Sequence, residues 1–146
     1  MKNKKAFTLI ELMVVILIVG LLAAVLVPMM TSRIEAARWS EGKAGAGTIA
    51  TALRAYIAEQ GEEGVTVFTG ITAPGDFMTE AELHGKYFLA GDYDISGVTY
   101  DPSVTAESGY QLTYLITVNP GSAQGEEFSW SKAGYTLDHT GKWLEK

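Results

Sequence analysis

A single carboxylate raises the first chemical question. Glu11 fronts an apolar run, Leu12–Met30, of nineteen residues without a charge, and Lys2, Lys4 and Lys5 precede it. A charged carboxylate near mid-bilayer is disfavoured by roughly 2.5–3.5 kcal/mol on insertion scales, so an intramembrane Glu marks a functional position whose partner must be sought. Its chemistry would be ion pairing. Elsewhere, Asp92-Tyr93-Asp94-Ile95-Ser96-Gly97 sets oxygens of Asp92, Asp94 and Ser96 at loop positions 1, 3 and 5 with Gly at 6, like the start of an EF-hand calcium loop. Position 12 is Ser103, where that loop requires a bidentate Glu, so an acidic turn is the simpler reading and calcium the alternative. No other cofactor is expected. His84 and His139 lie far apart, and Asp138-His139 reads as a polar hairpin end. Neither a G-x-S-x-G nucleophile motif nor a phosphate-binding glycine loop accompanies them, so no enzyme is expected.

The element that carries Glu11 must be long and apolar. Nineteen uncharged residues approach the ~20 that a helix needs to cross a ~30 Å hydrocarbon layer, so Leu12–Met30 is expected to enter or span a membrane. The positive-inside bias keeps the lysine-bearing end cytoplasmic and sends the rest outward, giving a single pass with N-in, C-out topology. A secretory signal peptide shares the basic start and apolar middle, and Leu22-Ala23-Ala24 offers small residues near a cut. Against it stand Glu11 at the front of the run and the continuation through Val25-Leu26-Val27. A plain signal-anchor helix with an accidental Glu is the third reading.

The stretch Lys5-Ala6-Phe7-Thr8-Leu9-Ile10-Glu11 resembles the class III leader junction of type IV pilins and type II secretion pseudopilins: a basic leader, a small residue, then Phe-Thr-Leu-Ile-Glu. The resemblance implies a leader of residues 1–6, cut between Ala6 and Phe7 by a prepilin peptidase that also N-methylates Phe7. The family usually has Gly before the cut, and Ala6 keeps the small size. Gly20 and Pro28 sit where similar proteins carry a helix-weakening Gly and a kinking Pro, and the family reading makes that segment unwind on filament formation. Cleavage would create an α-amino group on Phe7, mostly protonated near neutral pH when exposed (pKa ~7.7–8.0). Phe7 lies four residues before Glu11, so the amine of the same chain or of a neighbouring subunit is in reach. In the family the cross-subunit pair sets register, and losing one partner of a buried pair typically costs ~3–5 kcal/mol.

Beyond Met30 the chain becomes amphipathic, with Ile49, Ala52, Leu53, Tyr56 and Ile57 spaced to face a core. A helix from Phe7 to Gln60 would be roughly 80 Å long at 1.5 Å per residue, with Gly61 as its C-terminal cap. Gly42, Gly45 and Gly47 each weaken it by ~1 kcal/mol relative to Ala, and Gly42 and Gly45 read as contacts that let a sheet sit close. From Glu62 the texture changes to strands and loops: a short strand at Val65–Phe68, a capping box at Thr79–Glu82 opening a brief helix through Leu83, then strands at Tyr110–Val118, Phe128–Ser131, Tyr135–Leu137 and Lys142–Leu144, with a turn at His139-Thr140-Gly141. Trp39, Trp130, Tyr135 and Trp143 read as core or subunit contacts, with adhesion as the alternative. Phe7, Trp39 and Tyr56 are too sparse for an electron path.

The expected organisation is a leader (1–6), a transmembrane and assembly helix (7–30), an amphipathic helix half (31–61), a connecting loop region (62–109) and an antiparallel β-meander (110–146). The fold class is α+β and pilin-like: a long N-terminal helix packed against three or four antiparallel strands. Residues 1–61 hold seven Lys/Arg against four Asp/Glu, and 62–146 hold four against thirteen, so the head is acidic and nucleic-acid binding by it is not expected. The chain has no cysteine, which removes disulfides and thiolate metal sites. The resemblance implies a structural subunit of a type IV filament, held in the inner membrane before assembly and in a cell-surface or periplasmic filament afterwards. Its implied partners are identical or related subunits, the prepilin peptidase and, indirectly, an assembly ATPase and a platform protein. A type II secretion pseudopilin and a membrane-anchored extracytoplasmic binding domain that never polymerises are the alternatives.

Overall fold

The computed structural model describes residues 7–61, 73–83, 85–101, 112–122 and 130–146. Helix α1 spans Leu9–Gly61 and runs without interruption through Gly20 and Pro28, as the sequence predicts to within two residues at its start. Among the described residues four strands follow: β1 Tyr93–Tyr100, β2 Leu112–Val118, β3 Tyr135–Asp138 and β4 Trp143–Glu145, antiparallel in the order β1-β2-β3-β4. The chain divides into two units, Met1–Ala37 and Arg38–Lys146.

Within the second unit, α1 presents Trp39, Ala46, Ile49, Ala50, Leu53 and Ile57 to the core. Their three- and four-residue spacing forms one helical face. It differs from the predicted stripe in two ways: Ala50 lies inside where Ala52 is only half-buried, and the face begins ten residues earlier, at Trp39. Tyr93, Ile95 and Val98 of β1 and Tyr114, Ile116 and Val118 of β2 cover this face. Trp39 centres an aromatic cluster, with ring centroids 4.8 Å from Trp130, 4.9 Å from Tyr135 and 5.5 Å from Phe88. Edge-to-face and tilted pairs of this kind add to area burial. Three of the four aromatics expected in the core, Trp39, Trp130 and Tyr135, therefore meet in one cluster, while Trp143 packs on the core margin.

Gly42 and Gly45 are where the helix and its cover come closest. A Cβ on Gly42 would lie 2.8 Å from the Phe88 ring, and one on Gly45 would lie 2.1 Å from the Tyr93 hydroxyl. Close packing outweighs the helix propensity lost at both; Gly45 meets the sheet, as the sequence predicts, whereas Gly42 meets Phe88, which precedes β1. Glu41 ties the preceding loop to the same helix, its Oε1 accepting from the backbone N–H of Tyr87 (2.7 Å) and Phe88 (3.2 Å).

The position of β1 corrects the sequence reading. It lies inside the 62–109 stretch expected as a connector, and it includes Asp94-Ile95-Ser96-Gly97, read as part of an acidic turn. Tyr93, Ile95 and Val98 point inward and Asp94, Ser96 and Thr99 outward. The polar residues thus form the solvent face of a half-buried strand. Gly97, at φ 62°, forms the irregularity between Ser96 and Thr99 where the β1–β2 register shifts. The brief helix opened by Thr79 is a 3-10 turn, Glu80–Leu83, with Glu82 Oε2 accepting the Thr79 N–H at 3.3 Å. β2 matches the strongest predicted strand from Leu112 onward, and β3 and β4 match the last two. Trp130 and Ser131 lie outside any strand. The strand expected at Val65–Phe68, and Phe128, lie outside the described residues. Asp138 closes the β3–β4 hairpin as the polar end expected: its Oδ1 accepts from the Thr140 N–H (2.9 Å), the Thr140 hydroxyl (2.6 Å) and the Lys142 N–H (2.9 Å).

Candidate assembly site

Of the residues read from the sequence for processing and assembly, Phe7 and Glu11 lie around the first turn of α1, and Gly20 and Pro28 lie within the helix. Phe7 and Thr8 precede the helix, and Ala6 lies outside the described residues. Thr8 is the N-cap. Its hydroxyl accepts from the Glu11 N–H at 3.4 Å, and Glu11 Oε2 accepts from the Thr8 backbone N–H at 2.9 Å and the Thr8 hydroxyl at 2.7 Å. This reciprocal capping box satisfies donors that every helix start leaves orphaned. The Phe7 amine is the partner that the charge pattern predicts for Glu11; Thr8 is a second partner, seen in the folded chain. The signal was present: Thr8 followed three residues later by Glu11, just before an apolar run, is the capping-box pattern.

Downstream, the segment that must carry Glu11 is bare. Every large apolar side chain from Phe7 to Met30 is exposed, from 47% at Val14 to 81% at Phe7. The helix is long and apolar enough to cross a membrane. Gly20 has open space where a side chain would lie. Pro28 stands inside the helix and lacks the N–H that would bond the preceding turn. Just after it the Thr31 hydroxyl donates to the Pro28 carbonyl and the Ser32 hydroxyl to the Met29 carbonyl, each at 2.9 Å. The backbone around the proline therefore gains side-chain donors.

The other site read from the sequence is rearranged. Asp92 is buried at the end of a 3-10 turn, where its Oδ2 accepts from the N–H of Leu89 (2.8 Å) and Ser122 (3.0 Å). Asp94 instead faces outward and accepts from the Asn119 side-chain amide at 2.6 Å, while Ser96 sits on the exposed face of β1. Asp94 and Ser96 lie on the outer face of a strand and Asp92 in the turn before it, rather than around one loop, and the Asp92 carboxylate is already engaged as a cap. Among the described residues no group of three or more His, Cys, Asp or Glu is placed to hold a metal ion.

An apolar helix start sealed by its own Thr-Glu box, with a four-stranded antiparallel sheet on the helix's second half, defines an α+β chain of pilin-like arrangement. Residues 1–27 match the family model for the prokaryotic N-terminal methylation motif. Among characterised relatives, a fimbrial protein of Dichelobacter nodosus is 36% identical over 84% of this chain and 72% of its own length. Two type IV major fimbrial proteins FimA of the same species are 32% identical over 84% of the chain (72% of the relative) and 28% identical over 89% (83% of the relative). No solved structure matches the chain. The chain belongs to the type IV pilin family.

Proposed function

We propose that the chain is a structural subunit of a type IV filament, cut between Ala6 and Phe7, N-methylated at Phe7, and polymerised through the apolar half of α1. The observation that carries this reading is the run from Phe7 to Met30, whose apolar side chains are all exposed and whose one charge is at Glu11. Such a surface belongs in lipid or against other apolar helices. Before assembly it would lie in the inner membrane, N-in and C-out, and afterwards in a surface or periplasmic filament. A prepilin peptidase makes the cut, and an assembly ATPase and platform protein act on the subunit indirectly. Kinship to fimbrial subunits supports the pilus over the secretion pseudopilus.

Cutting gives Glu11 a cationic partner in the Phe7 amine, of the same chain or of a neighbour. Glu11→Val is expected to leave membrane insertion intact and abolish filaments; normal filaments from that variant would refute the pairing. Mass spectrometry of the N-terminus tests the processing step. A methylated Phe7 is the expected terminus, whereas an intact Met1 or a cut after Ala24 would favour an anchored domain or a secreted one.

A further inference from the structure

Arg54 carries an exposed guanidinium that the fold holds in one orientation. Its Cζ lies 5.4 Å from the centre of the Tyr114 ring, and its Nη2 donates to the Tyr114 hydroxyl. Tyr114, on β2, is 2% exposed, so the core fixes the platform beneath the guanidinium. Ring contact and hydrogen bond together order a side chain that is otherwise rich in rotamers. His139, in the turn after β3, packs on the same ring, edge to face with centroids 6.5 Å apart. Three elements therefore bring an arginine and a histidine to one buried tyrosine.

Among the described residues no carboxylate pairs with Arg54. Its helix neighbours three and four residues away are Ala50, Thr51, Ile57 and Ala58, and none is acidic. Asp138, next to His139, is engaged within its own turn, where Oδ1 accepts from Thr140 and Lys142. Other cations of the same unit are matched: Lys132 pairs with Glu145, and Lys43 Nζ lies 3.7 Å from the centre of the Tyr135 ring. In a head whose residues 62–146 hold thirteen acidic side chains against four basic ones, an ordered guanidinium without an acid points outward, to another molecule.

The chemistry of the donors names the ligand. Tyr114 takes one of the five guanidinium N–H groups, and the rest form a planar fork that matches the two oxygens of a carboxylate. An imidazole N–H beside it adds a donor. The acidic surroundings oppose a phosphate dianion more than a singly charged carboxylate. We propose that Arg54 and His139 form a carboxylate-binding site on the head, with Tyr114 positioning the guanidinium. The proposal stands independently of the filament reading.

The test uses the full chain in detergent micelles with ¹⁵N-labelled arginine and histidine, titrated with sodium propionate against sodium chloride and sodium phosphate at equal ionic strength. The expected result is a saturable shift of the Arg54 Nε and His139 ring resonances with propionate and none with chloride. Arg54→Lys keeps the charge but loses the fork, and should weaken binding about tenfold, read at His139. His139→Ala should weaken it about threefold or more, read at Arg54. Tyr114→Phe keeps the ring and releases the guanidinium, so it should lower the Arg54 Nε heteronuclear NOE before any ligand is added and weaken binding about threefold. No saturable shift, unchanged binding by a folded Arg54→Lys chain, or tighter binding of phosphate than of propionate would overturn the proposal. Tenfold dilution of the chain then separates the sources. An Arg54 shift that fades on dilution and is competed by propionate identifies an Asp or Glu of a second copy, and propionate binding without concentration dependence identifies a carboxylate of another molecule; each supports the site.

Discussion

At Glu11 the chain meets the problem of a carboxylate in an apolar setting by local means, since Thr8 offers it a backbone and a hydroxyl donor. Removing a capping hydroxyl costs about 1 kcal/mol. Thr8→Ala should therefore speed amide exchange at the start of α1 about fivefold in detergent, whereas Thr8→Ser should not; unchanged exchange in Thr8→Ala would exclude the capping role. Two helix glycines make a matched pair. Gly45→Ala drives a methyl into the Tyr93 hydroxyl and should destabilise by roughly 1–3 kcal/mol. Gly47→Ala meets open space and should stabilise by about 0.5–1 kcal/mol. Thermal midpoints falling for the first and rising for the second are the expected readout. Tyr93 also sets an alkaline limit. The folded chain holds the phenolic proton more tightly than the ordinary value of 10, with the pKa raised to about 12, chiefly by burial. The stability this brings is complete below pH 10 and is lost as pH rises toward 12. Tyr93→Phe should flatten the fall of unfolding free energy across that window, and an unchanged slope would assign the fall to other groups.

Among the elements, α1 carries the core, and Leu53, wholly buried against the sheet, tests that role. Leu53→Ala should lower stability by about 2–5 kcal/mol, measured by denaturant unfolding; a cost below about 1 kcal/mol would mean that the helix face is not the foundation of the sheet. This element was the most legible part of the sequence, because its apolar spacing, uncharged run and terminal glycine all pointed the same way. β2 through β4 were legible in Tyr, Thr and Ile alternation and in the Asp138–Gly141 turn. β1 was not, because its outward face is Asp94 and Ser96 and its bulge is Gly97, and those are also the residues of a turn. The Gly42 and Gly45 contacts were foreseen in kind but not in partner: Phe88 and Tyr93 lie 46 and 48 residues further along the chain, and no local pattern names them. At the N-terminus the reverse holds, since the local Thr-x-x-Glu pattern is legible in the sequence and is masked only by the stronger charge signal of Glu11.

On the scale of the whole molecule, charge is divided as sharply as hydropathy. The net charge is −6, and the acidic residues concentrate after residue 61. A head of that sign should repel phosphate backbones, so duplex DNA in a mobility-shift titration near 150 mM salt should stay unretarded; a salt-sensitive shift would reveal a basic patch that the charge distribution conceals. The family relationship and the exposed first half of α1 together make the membrane and other helices the natural surroundings of the N-terminal unit. The aromatic cluster carries one more consequence. All three tryptophans, Trp39, Trp130 and Trp143, belong to the Arg38–Lys146 unit, and Trp39 and Trp130 meet edge to face with ring centroids 4.8 Å apart. Intrinsic fluorescence and near-ultraviolet dichroism are thus an optical gauge of the head alone, and residues 7–30 contribute no indole signal. Events in the apolar segment will register in that light only where they disturb the head, which makes a tryptophan placed in the first half of α1 the second colour needed to watch the two units separately.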